Sequence, residues 1–112
     1  MRKESKMKAQ EIISIVDSIK ANDVCEDAKF NWLDEANSRV LCEIAGIAPE
    51  DIEKITCGED ELYAPSPYSR MYSEYLLAMI AFVKGEYDSY VKMYAAYEKT
   101  YLDYAKYRIR SR

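Results

Sequence analysis

The sequence is 112 residues long, the size of one modest domain and too short for a second independent core. Hydrophobic residues make up 49% and charged residues 32%, with only three Gly and three Pro, which excludes a disordered or fibrous chain. There is no histidine, so Ser-His and Cys-His nucleophile pairs, imidazole acid–base chemistry and His-ligated zinc cannot be built within one chain. The formal charge of −4 is unevenly spread. Residues 9–61 carry fourteen acids against four bases, whereas residues 1–8 and 106–112 are net basic. An acidic body does not match a dedicated nucleic-acid reader, which shows a basic face. The basic ends, 1–8 and 108–112, are expected to be flexible, with Lys106, Arg108, Arg110 and Arg112 available to touch phosphate or an acidic neighbour.

The chain is expected to fold as one all-α domain, a small bundle of three long helices plus a short N-terminal one. The first predicted helix spans about 8–20, with Ile12, Ile15, Val16 and Ile19 on one face. The second spans about 27–45, with Asp27 as N-cap and Gly46 just past its end. Phe30, Leu33, Val40, Leu41 and Ile44 share its apolar stripe, and Asn37 sits on that stripe and must bond a neighbour. Trp32 lies off the stripe, beside Ala36, Arg39 and Glu43, so a second surface must cover it.

Residues 46–66 are irregular, with one short helical turn at Pro49–Ile52 and an acidic turn at 58–61. The third helix is expected from Pro67 to Lys84, with Ser66 as N-cap. It is apolar nearly all round, so it must be buried on more than one side. Gly85 separates it from the fourth helix, expected over 86–107, which makes the last two helices an antiparallel hairpin.

All eleven tyrosines lie between Tyr63 and Tyr107. Tyr87, Tyr90, Tyr94, Tyr97, Tyr101 and Tyr104 are spaced 3, 4, 3, 4, 3, an unbroken stripe of one residue type. A buried tyrosine hydroxyl needs a partner and costs about 1–3 kcal/mol without one. Tyrosine suits a surface that is apolar at the ring and wet at the hydroxyl, as protein–protein interfaces are. Part of the stripe is therefore expected to pack the fourth helix on the third. The rest, with Trp32, Tyr68, Tyr72 and Tyr75, is expected to form a subunit interface. Stacking of single-stranded bases would want Lys and Arg interleaved with the aromatics, whereas Lys92, Lys99 and Lys106 lie opposite them.

No catalytic, cofactor-binding or metal-binding residue is assigned, and an enzyme is not expected. The acidic groups Glu50, Asp51, Glu53 and Glu59, Asp60, Glu61 match no EF-hand spacing and suggest a solvated loop. Gly46, Gly58 and Gly85 are isolated and form no phosphate loop. Cys25, Cys42 and Cys57 form no CxxC and are expected to be reduced core hydrophobes in a cytosolic setting. No secretory signal is visible, and the longest apolar run, Leu76–Val83, is far short of a membrane span.

The order of features resembles a known family. A short helix precedes Trp32-Leu33, Glu35, Arg39-Val40 and Glu43-Ile44. Pro65, Pro67-Tyr68, Tyr72 and Tyr75-Leu76 follow, then Gly85-Glu86, Tyr90 and repeated aromatics. Over about residues 10–107 this is similar to the small head–tail connector (adaptor, head-completion) proteins of long-tailed bacteriophages and Gram-positive prophages. The acidic loop 46–62 has no counterpart in that pattern. The resemblance implies an all-helical structural subunit that packs side by side in a homo-oligomeric ring under the portal. The ring lines the DNA channel and meets the portal protein and a tail-side completion protein. It implies a place in the host cytoplasm during assembly and in the virion neck afterwards. DNA would pass without being gripped, in keeping with an acidic body. The alternative is a small cytosolic helical interaction or regulatory module that holds one helical partner.

Overall fold

The computed structural model describes residues 6–111. Arg2 and Lys3 of the basic N-terminal segment, and Arg112 of the C-terminal one, lie outside the described residues. The chain is all-α. Among the described residues four helices follow in order: α1 (Ala9–Ile19), α2 (Glu26–Glu43), α3 (Arg70–Val83) and α4 (Tyr87–Arg110). A single 3-10 turn forms at Pro49–Asp51. Among the described residues there is no strand, only an isolated antiparallel bridge between Lys8 and Glu61. Helix α3 packs against all three other helices, and most closely against α4.

The buried face of α1 is Ala9, Ile12, Ile13 and Val16. It is rotated from the expected one, because Ile15 and Ile19 are exposed. A run with isoleucine at 12, 13, 15 and 19 offers two overlapping apolar sectors, and periodicity alone does not choose between them. Helix α2 starts at Glu26 with Cys25 rather than Asp27 in the cap position, and Cys25 makes no side-chain cap bond. The helix ends as expected: Gly46 takes φ +76°, and the Ile47 N–H turns back to the Leu41 carbonyl at 2.9 Å.

The irregular segment 52–66 packs as a clamp over the start of α1. The Asp60 and Gly58 carbonyls accept the otherwise unpaired N–H groups of Ala9 (2.8 Å) and Gln10 (3.0 Å). The Lys8 N–H donates to the Glu11 carboxylate at 2.9 Å, and the Leu62 N–H to the Met7 carbonyl at 2.9 Å. Asp60 holds the acidic turn itself, accepting the Thr56 and Cys57 N–H groups. Backbone approaches α1 so closely at Gly58 that a Cβ there would lie 2.9 Å from Gln10 Cβ. Ile55, Leu62 and Ala64 enter the core from this segment. The acidic loop, expected to be merely solvated, thus caps one helix and helps to close the core.

Helix α3 begins at Arg70, three residues later than expected from Pro67. The Tyr68 and Ser69 N–H groups both return to the Pro65 carbonyl, so a tight turn occupies 66–69 before the helix opens. At its other end Gly85 has φ +77°. The Glu86 N–H donates to the Ala81 carbonyl (2.9 Å) and the Gly85 N–H to the Phe82 carbonyl (3.1 Å), which is the Schellman arrangement that closes a helix. Ring pairs then run in opposite order along the two helices: Phe82 with Tyr90, Tyr75 with Tyr97, Tyr68 with Tyr104. Helices α3 and α4 are therefore antiparallel, as expected. Helix α4 runs to Arg110, three residues beyond the expected Tyr107, and takes in Arg108 and Arg110 of the segment expected to be flexible. Two basic residues in the last turn suit the negative end of the helix dipole.

Candidate functional site

Helix α4 has 24 residues, or about 36 Å at 1.5 Å per residue, and its tyrosine stripe forms a ladder of rings along α3. Phe82 meets Tyr87 at 5.9 Å and Tyr90 at 5.3 Å between centroids. Tyr90–Tyr94, Tyr94–Tyr97 and Tyr97–Tyr101 follow at 5.6, 5.5 and 6.2 Å. These spacings lie in the range where tilted aromatic pairs attract.

The C-terminal half of the ladder is locked inside the chain. Tyr97, Tyr101 and Tyr104 are buried, as is Tyr72 on α3. Each hydroxyl has an internal partner. Tyr97 accepts from Arg39 (3.2 Å), Tyr101 donates to Glu43, and Tyr104 accepts from Arg108 (3.1 Å). The Tyr72 hydroxyl donates to Asn37 Oδ1 (2.9 Å) and accepts the Ala64 N–H (3.0 Å). Arg39 also grips Glu98 at 2.6 Å and lies 3.9 Å over the Tyr101 ring. No fully buried side-chain nitrogen or oxygen among the described residues lacks a partner. The demand that made a buried tyrosine stripe costly is met by α2 and by Arg108.

These placements correct part of the expected interface. Tyr72, Tyr97, Tyr101 and Tyr104 spend their surfaces within one chain and have none left for a neighbour. Trp32, Tyr68 and Tyr75 are half-buried against the same core, and the Tyr75 hydroxyl donates to Glu35 at 2.8 Å. The N-terminal half of the stripe is different. Tyr90 and Tyr94 are half-buried, and Tyr87 is 61% exposed. Around Tyr87 stand Phe82 (48%), Val83 (56%) and Val91 (62%). Together they make an apolar end to the α3–α4 hairpin. A cleft of about 280 Å³ that none of these four residues lines is bounded by Ile19, Lys20, Leu77, Ala81, Lys92 and Met93.

At the basic end, Lys106 and Arg110 are exposed, whereas Arg108 is held by the Tyr63 and Tyr104 hydroxyls at 2.8 and 3.1 Å. Arg108 is therefore a structural pin through Nη1, while its Nη2 and Nε groups make no hydrogen bond among the described residues. Cys25 and Cys57 are exposed and Cys42 is half-buried, so they are not core hydrophobes, and all three are free thiols. Among the described residues no group of three His, Cys, Asp or Glu is arranged to hold a metal ion. Among the described residues no helix is long and apolar enough to cross a membrane.

Sequence reasoning missed the groups that lock the stripe: Arg39, Glu43 and Arg108. A signal for two of them was present. Arg39 and Glu43 share the side of α2 on which Trp32 lies, and their side chains reach Tyr97, Glu98 and Tyr101 of α4. Compared with known proteins, the chain matches no family model, no curated protein and no solved structure.

Proposed function

We propose that this protein is a structural subunit of a phage or prophage virion, a head–tail connector that assembles through its hairpin end into a ring under the portal. The observation that carries the reading is the apolar cluster Phe82, Val83, Tyr87 and Val91 exposed at the hairpin end. Large apolar side chains gathered on a surface mark an interaction site. Tyrosine and phenylalanine there supply contact area at low entropic cost. The bundle of three long helices and a short N-terminal one leaves this end open while Arg39, Glu43 and Arg108 hold the other end closed. In a ring, one subunit's hairpin end meets a different patch on its neighbour, a head-to-tail contact that closes by rotation. The portal and a tail-side completion protein would flank the ring, in the host cytoplasm during assembly and in the virion neck afterwards.

A second reading has its own observation. The cleft of about 280 Å³ between Ile19, Leu77, Ala81 and Met93 is a groove suited to the apolar face of one helix from a partner. In that reading the protein is a small interaction module. Native mass spectrometry across a concentration series, with negative-stain imaging, separates the two. A discrete ring-sized assembly supports the connector. A monomer throughout, with no rings, leaves the interaction module.

A further inference from the structure

A cleft of about 270 Å³ opens between α2 and the segment 53–63, on the face of the molecule remote from the hairpin end. Its inner wall is Asn37, Leu41, Ile55 and Leu62. Asn37 is only 4% exposed. Its Oδ1 accepts both the Tyr63 N–H (2.8 Å) and the Tyr72 hydroxyl (2.9 Å). A main-chain N–H only donates, so the oxygen must face Tyr63 and the amide nitrogen must turn the other way. That nitrogen donates to no described residue, yet it is not sealed off, because every fully buried side-chain nitrogen is paired. Its outlet is the cleft that Asn37 lines. Two N–H donors thus sit without an acceptor among the described residues, beside three aliphatic side chains.

The rim decides what kind of acceptor fits. Lys6 and Lys54 stand there against Glu53, Asp60 and Glu61. Three acids against two bases disfavour a free carboxylate or phosphate, so the acceptor is neutral. The volume falls below the range of about 300–1,000 Å³ typical of pockets for whole small ligands. It suits one side chain with its adjoining peptide groups. We propose that this cleft binds an apolar residue of an extended peptide segment from a partner protein. The peptide carbonyl accepts from Asn37 Nδ2, and the side chain rests on Leu41, Ile55 and Leu62. The site is independent of ring formation.

The test is a side-chain amide and methyl NMR titration of the full chain with three probes: N-acetyl-leucine methylamide, N-acetyl-leucinate and inorganic phosphate. The neutral amide should shift the Asn37 NH₂ pair and the Leu41 and Ile55 methyls saturably. The carboxylate probe should bind about tenfold more weakly, given the acidic rim, and phosphate should shift none of them. Replacing Asn37 also removes support for Tyr72, so the control variant is Leu41→Trp, which fills the cleft and leaves the Oδ1 bonds in place. It should abolish the shifts while keeping the native helical circular dichroism. The proposal is overturned by any of three results: no saturable shift with the amide probe, leaving a cleft that holds only water; shifts unchanged in Leu41→Trp; or tighter binding of either anion.

Discussion

The two halves of α4 carry the same residue at the same spacing and meet different fates. From Tyr97 to Arg108 the helix lies opposite α2 and the 63–64 segment, and every inward hydroxyl there meets a partner. From Tyr87 to Tyr94 the stripe faces the end of α3, with Phe82 and Tyr75 as ring partners. Its outer side chains stay in solvent. A tyrosine stripe is therefore not one kind of surface. What stands opposite it decides whether the phenol works as a core residue with a satisfied hydroxyl or as an exposed contact with a wet one.

The largest test of this division is Tyr97→Ala. Removing a fully buried aromatic costs about 3–5 kcal/mol, a large share of the roughly 5–15 kcal/mol that a domain has in total. It also strips Arg39 of a hydroxyl and a ring. Chemical denaturation should show a steep fall in midpoint. A loss below about 1 kcal/mol would mean that the locked half is not locked, since that is the range of ordinary substitutions. Next in size is a matched pair that removes only a hydroxyl. Tyr72→Phe leaves the buried Ala64 N–H without its acceptor, at a cost of about 1–3 kcal/mol. Tyr90, half-buried with no hydrogen-bond partner for its hydroxyl among the described residues, should tolerate Phe within about 0.5 kcal/mol. Equal costs in the two variants would erase the contrast.

Alkali should act on the locked half in the same way. Burial pushes the Tyr72, Tyr97 and Tyr101 hydroxyls above the ordinary tyrosine range. The bond to Glu43 raises Tyr101 further, while Arg39 pulls Tyr97 partly back. A raised folded-state value means that the unfolded chain gives up its protons first. The stability these groups add is whole below about pH 10, the ordinary tyrosine value, and is lost as pH rises beyond it. Phenolate absorbance from the buried set should therefore appear together with loss of helical circular dichroism. Their ionisation in a still-folded chain would show that solvent reaches the locked half.

The sequence carried the helices well because their signals are local. Gly46 and Gly85 end α2 and α3 where the left-handed conformation is needed, and Asn37 on an apolar stripe foretold a buried hydrogen bond. The docking of the acidic segment on α1 was not legible. It rests on main-chain carbonyls of Gly58 and Asp60, which no residue type announces, and on Gly58 being small enough to pass Gln10. The split of the tyrosine stripe was only half legible. Spacing gives a face but not what covers it, and the cover comes from Arg39 and Glu43, more than fifty residues away in the chain.

The smallest expected effect on stability carries the most about function. Tyr87→Ser combined with Val91→Ser removes two of the most exposed apolar side chains of the hairpin end. Neither hydroxyl introduced is buried, and exposed substitutions of this kind usually stay within about 0.5 kcal/mol each. Serine is a somewhat poorer helix former than the best residues, which adds only a few tenths of a kcal/mol at each site. The melting temperature should therefore move little while the solution mass changes. If the hairpin end joins copies of the chain, the double variant should fall to a monomer at concentrations where the unaltered protein is assembled, whereas Tyr90→Phe should leave the mass unchanged. An assembly that survives the double variant would place the contact elsewhere on the molecule and leave the open half of α4 as surface without that role. A large drop in melting temperature would instead show that these side chains, though exposed, are part of what holds the hairpin together.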